Sequence, residues 1–136
     1  MPFTLREHTA DVAVEATGES LGATFAAVAD GLAAAMCDDV PASGRRHDLS
    51  VTAEGRQALL FDYLDRLIYE RDVRSVLPVD NEASVAATGD TWTVDASYRG
   101  VPLAAVTARD LKAVTYSEMD LSETPEGWHA YVVFDV

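Results

Sequence analysis

Apolar and polar positions change period along the chain, and those changes predict its elements. From Asp11 to Thr17 they alternate, with Val12, Val14 and Ala16 on one side, as in a half-buried strand. Gly18 and Glu19 turn the chain, and Ser20 can cap a helix by accepting a backbone N–H. Leu21, Phe25, Val28, Leu32 and Met36 then recur at helical spacing down to Cys37. The stretch Asp38–Arg46, with Pro41, Ser43 and Gly44, reads as a loop, and His47–Ala53 as a strand with Leu49 and Val51 inward. The strongest helix runs from about Gly55 to Arg71, where Leu59, Leu60, Tyr63, Leu64, Leu67 and Ile68 form one apolar stripe. Asp62, Arg66 and Glu70 follow one another at i, i+4 and predict a solvated face. Beyond it come short β-type runs broken by Gly, Pro or polar residues: Val73–Leu77, Ser84–Ala87, Thr91–Tyr98, Leu103–Ala108, Ala113–Leu121 and His129–Phe134.

Two helices followed by several strands predict an α+β fold, a single compact domain over residues 1–136 with both helices packed on a largely antiparallel β-sheet. A chain of this length buries about two-thirds of its extended surface, so it needs no metal or disulfide staple. No run approaches the ~20 apolar residues of a membrane span. The opening Met-Pro-Phe-Thr-Leu-Arg-Glu-His lacks the basic start and apolar run of a signal peptide. Cys37 stands alone, which excludes an internal disulfide and fits a reducing, cytoplasmic setting.

Charge changes the picture further. The formal net charge is −13, and nucleic-acid affinity rests largely on Lys and Arg displacing counterions, so strong direct binding of nucleic acid is not expected. Nine of the ten bases are Arg, and Asp outnumbers Glu by 14 to 9. Surface acid with almost no Lys is the composition expected of a halophilic protein, because at molar salt a Debye length of about 3 Å screens its self-repulsion.

The sequence holds no glycine-rich phosphate loop, His-Glu-x-x-His, Cys-x-x-Cys or Gly-x-Ser-x-Gly. Three small clusters carry the chemistry that is left. Glu7-His8-Thr9-Ala10-Asp11 sets an imidazole and carboxylates just before a strand, where they can bind a metal or move a proton, or simply turn the chain. Asp135-Val136 puts a side-chain and a terminal carboxylate side by side, a start for a hard cation that takes oxygen ligands, or merely the end of an acidic chain. Lys112 is the sole lysine, which suggests a compact point charge that a guanidinium cannot replace, against the plain survival of one surface lysine.

Together these pieces resemble the archease family. Glu7-His8-Thr9-Ala10-Asp11-Val12 resembles its opening E-H-T-A-D signature, and Gly31-Leu32 through Met36-Cys37-Asp38 its G-L…M-T-D stretch. Leu59-Leu60-Phe61-Asp62-Tyr63-Leu64-Asp65-Arg66-Leu67-Ile68-Tyr69 is similar to its L-L-x-D-W-L-N-x-L-L-Y helix. Lys112-Ala113-Val114-Thr115-Tyr116 resembles its K-A-V/I-T-Y/W strand, and Val133-Phe134-Asp135-Val136 its F-D-I/V ending. The five strings keep the family order over nearly the whole length. Ser117 departs from the family's His, Tyr63 from its Trp and Cys37 from its Thr.

The resemblance implies a non-catalytic protein that activates an RtcB-type RNA ligase. Such a protein promotes GTP-dependent guanylylation and multiple turnover in tRNA splicing and RNA repair. It implies a divalent metal, calcium foremost with manganese at the ligase interface, held by Asp11, Asp135 and the Val136 carboxylate, and a role in activation for Lys112. His8 and Asp38 are candidates for places beside that metal. The alternative is a chaperone-like module binding several clients, which needs an exposed apolar patch of several hundred Å². A small metal-dependent hydrolase built on His8 and Asp11 would lack an evident nucleophile.

Overall fold

The computed structural model describes residues 2–8 and 11–136, the side chains of residues 6–8 excepted. Strands β1 (Phe3–His8) and β2 (Asp11–Gly18) lead into helix α1 (Leu21–Met36). Strand β3 (Arg45–Ala53) and helix α2 (Arg56–Arg74) follow, then β4 (Val76–Thr88) and β5 (Thr91–Pro102). A 3-10 turn at Leu103–Ala105 precedes β6 (Ala113–Thr124) and β7 (Gly127–Asp135). The fold is α+β, and its strands divide into two antiparallel sheets, ordered β1-β2-β7-β6 and β3-β5-β4.

Both helices lie between the sheets. Helix α1 packs on β1, β2 and β7 from one sheet and on β4 from the other, and α2 on β6 and on β3, β4 and β5. Alanine-rich α1 is buried nearly all round, as a helix without a polar stripe must be. Two glycines let it sit this close. A methyl group on Gly22 would lie 2.4 Å from the Ala83 carbonyl oxygen, and one on Gly31 2.4 Å from Val14 Cγ1. Ser20 caps α1, accepting the Ala23 N–H at 3.0 Å. The stripe on α2 faces inward, with Leu59, Leu60, Tyr63 and Leu64 fully buried. Among the described residues, no helix is long and apolar enough to cross a membrane.

Four expectations change. Val73 belongs to α2, which continues to Arg74 and ends where Ser75 takes a left-handed conformation (φ 55°). Val76–Thr88 is then a single strand, its register with β5 shifting between Val79 and Glu82 where Asp80 has φ 48°. Leu103–Ala108 forms a turn and a loop in place of a strand. Its backbone bonds go to other partners: the Leu103 N–H to the Ser75 carbonyl at 2.9 Å, and the Val106 N–H back to Leu103 at 3.2 Å. Glu70 is buried instead of solvated, at 3% exposure, because Tyr98 of β5 reaches over α2 and donates its hydroxyl to Glu70 Oε1 at 2.6 Å.

Candidate functional site

The inward residues of β2 and β7 (Val14 and Ala16, Val132 and Phe134) share the core, so the alternate residues lie on the opposite face of the four-stranded sheet, where the pair Ala13 and Val133 is itself buried. That period places Asp11 directly opposite Asp135. On either side of the pair, His8 of β1 stands opposite Asp11 and Ala113 of β6 opposite Asp135. The carboxylates from the two ends of the chain thus meet at one sheet end, with half-exposed Val136 next in sequence. Thr9, Ala10 and the side chain of His8 lie outside the described residues.

Lys112 borders the same place. It is exposed, and its N–H donates to the Asp135 carbonyl at 2.9 Å. The loop before it is fastened to both helices. Arg109 donates its N–H to the Met36 carbonyl at 2.6 Å and its Nε–H to the Ala35 carbonyl at 3.0 Å, capping the C-terminal end of α1. Its guanidinium pairs with Asp38 at 3.1 Å, and the hydrogen bond from Arg109, reinforced by its charge, holds the Asp38 carboxyl below its usual range. Arg71 of α2 is buried at 7% exposure and donates to the Leu111 carbonyl at 2.7 Å.

Asp11 and Asp135 fit a hard divalent cation in kind. Both are oxygen donors, set directly opposite each other across two strands. Among the described residues no group of three His, Cys, Asp or Glu side chains converges to hold a metal, so these two carboxylates need further oxygen donors. Asp38 is not gathered into such a group, and its carboxylate is engaged by Arg109. Farther along the outer face, His129 lies between two acids, Nε2 at 2.9 Å from Glu15 and Nδ1 at 2.9 Å from Asp120. The Glu15 bond, and then the Asp120 bond, raise the His129 pKa against the opposing effect of burial.

Asp11, Asp135, Val136 and Lys112, each a candidate from the sequence, therefore share one end of the molecule. Arg71 and Arg109 were not among those candidates. Arg71 had a legible signal, since it continues the apolar stripe four residues past Leu67 and a cation there must find buried acceptors. Arg109 had none, for its partners on α1 are brought to it by the fold alone.

The model of the Archease protein family matches residues 3–136. The chain is 30% identical over 135 residues to an archease of Thermococcus gammatolerans, covering 96% of this chain and 95% of that one. It is 27% identical over 135 residues to an archease of Pyrococcus abyssi, with the same coverage of both. Among solved structures, it is similar to a Methanobacterium thermoautotrophicum protein in solution, with TM-score 0.84, 24% identity and 99% of each chain covered. A crystal structure of an archease, possible chaperone, from Thermotoga maritima aligns with TM-score 0.64 and 21% identity over 96% of this chain and 94% of that one. The match in sequence along nearly the whole length, on a shared fold, places the chain in the archease family.

Proposed function

We propose that this chain is a non-catalytic activating cofactor of an RtcB-type RNA ligase, promoting its GTP-dependent guanylylation and multiple turnover in tRNA splicing and RNA repair. The observation that supports this is the register that sets Asp11 against Asp135, with Lys112 tied to Asp135 and Val136 following. Asp11, Asp135 and the Val136 carboxylate would hold a divalent cation, calcium foremost or manganese at the ligase interface. When bound, that ion supplies positive charge to oxygen-rich groups of the partner. Exposed Lys112 adds a point charge for a phosphate or an acid of the ligase. Docking would activate by binding the guanylylation-competent ligase more tightly than the resting one, and only by that difference. A net charge of −13 suits a partner that is protein and not RNA.

The other reading, a chaperone-like module for several clients, needs one broad apolar patch. The exposed large apolar side chains among the described residues are Leu5, Val40, Tyr69, Val73, Tyr116 and Val136, spread over β1, the loop after α1, α2, β6 and the final residue. That scatter favours the specific partner.

The test is RNA joining by the matching ligase, held substoichiometric to RNA, in GTP, Mn²⁺ and molar KCl. Addition of the chain should convert single into multiple turnover. Asp11→Asn, Asp135→Asn and a short C-terminal extension past Val136 should each abolish the gain while the circular dichroism stays native. Full activation by both Asn variants would overturn the carboxylate site, and no activation by the folded wild type would overturn the role.

A further inference from the structure

We propose that Arg71 is a positioning residue for Lys112, setting where the sole lysine stands against the Asp11–Asp135 pair. The inference rests on the activating role just proposed and extends it to a buried residue on α2.

The geometry is that of a post with one strand end lashed to it. Arg71 Nη1 donates to the Leu111 carbonyl at 2.7 Å and lies 3.3 Å from Met36 Sδ. Nε and Nη2 both lie 3.0 Å from Asp72 Oδ1, and Nη2 is 3.4 Å from Asp110 Oδ1. One buried guanidinium thereby joins α2, the end of α1 and residues 110 and 111. Leu111 is held twice, by its side chain at 1% exposure and by its carbonyl on Arg71. The next residue is Lys112, with its N–H on Asp135 and its side chain in solvent. The peptide group that joins Leu111 to Lys112 is therefore held at both of its polar atoms, the carbonyl by Arg71 and the N–H by β7.

Even paired with Asp72 and Asp110, a buried cation costs desolvation that an apolar residue continuing the stripe of α2 would not. What a guanidinium adds is a rigid fork whose several N–H groups point to different partners at once. An ammonium of three donors on a flexible stem does not reproduce that fork. The placement is next to the one residue of the loop that offers a mobile positive charge to a partner, which is where a fixed backbone matters.

The experiment compares wild type, Arg71→Lys, Lys112→Ala and the double variant by hydrogen exchange and by ligase guanylylation at saturating amounts of each. In the wild type, the Lys112 amide should exchange as slowly as the amides of β7. In Arg71→Lys it should exchange about tenfold faster with those of Val132 and Val133 unchanged, a factor of ten being the loss of one modest hydrogen bond. The same variant should lower maximal stimulation about tenfold, and the double variant should match Lys112→Ala, because a residue acting through another adds nothing once that other is gone. Rapid exchange at Lys112 in the wild type would overturn the proposal without any variant. So would Arg71→Lys stimulating like wild type while Lys112→Ala does not. If Lys112→Ala itself stimulates like wild type, it is the activating role given to Lys112 that fails. The exchange data would then still report on the tie between Arg71 and Leu111.

Discussion

Replacing Asp135 by Asn separates the cost of the opposed carboxylates from their use. The substitution keeps the side-chain shape and removes one charge from the Asp11–Asp135 pair. Two unit charges about 5 Å apart in water repel by about 0.8 kcal/mol, in line with the ~0.2–1 kcal/mol range for cross-strand pairs. Without metal, Asp135→Asn should therefore be as stable as wild type or more stable by about 0.5 kcal/mol. With metal the order reverses. A ligand that binds only the folded state at 100 times its Kd stabilises by about 2.7 kcal/mol. At roughly 2.1 cal/mol/K per residue, unfolding 136 residues carries an entropy of about 0.29 kcal/mol/K, so each kcal/mol moves Tm by about 3.5 °C. Saturating calcium should then raise the wild-type Tm by about 9 °C and leave Asp135→Asn within about 1 °C of its chelator value. The assay is thermal unfolding followed by circular dichroism, with EDTA or calcium at one fixed KCl concentration. At molar KCl the chelator difference should shrink as the Debye length falls to about 3 Å, while the calcium shift persists. A wild-type Tm that ignores calcium, or an Asn variant that shifts as far as wild type, would refute the reasoning.

Two further outcomes follow from buried and half-buried charges elsewhere. Burial works against ionisation of Glu70, but the Tyr98 hydroxyl with Arg74 and Arg66 outweighs it and holds the carboxyl below its usual range. Its contribution is therefore present above the unfolded pKa of about 4.3 and lost as pH falls through the folded value. Glu70→Gln should cost about 1–3 kcal/mol in urea denaturation at pH 7, mostly through Tyr98, since the partly exposed Arg66 and Arg74 add little. The gap from wild type should close below pH 4, and its absence at pH 7 would count against the buried charge. His129, with its pKa raised by Glu15 and Asp120, has the opposite sign. Its contribution is complete below the unfolded pKa of about 6.5 and fades as pH rises through the folded value. His129→Gln should cost about 1 kcal/mol at pH 5.5 and clearly less at pH 9, and an equal loss at both would show that its charge is not what ties β2, β7 and β6 together.

Local rules determined much of this molecule. Ser20, the apolar series of α1 and the stripe of α2 specify two helices through backbone capping and a 3.6-residue period, and these need only near neighbours in the chain. Alternation around Val14 and the continuous apolar run Tyr131–Phe134 likewise specify strands, the second buried on both faces at Val132 and Val133. The same rules misjudge Glu70, because an i, i+4 ladder of charges describes an isolated helix and says nothing of Tyr98 arriving from β5. They misjudge Leu103–Ala108 for a related reason: the bonds of that backbone go to Ser75 and its own turn, and no strand neighbour takes them. Residue type alone marked Asp11, Lys112 and Asp135 as candidates. Their gathering at one place is a tertiary fact, since it depends on the first long strand pairing with the last in a register set by their shared core face. Arg71 is legible as a residue and not in its role. A cation among leucines states only that acceptors must exist; Asp72 is one at hand in the chain, but the Leu111 carbonyl and Asp110 come from a loop about forty residues away that no local period can bring to it.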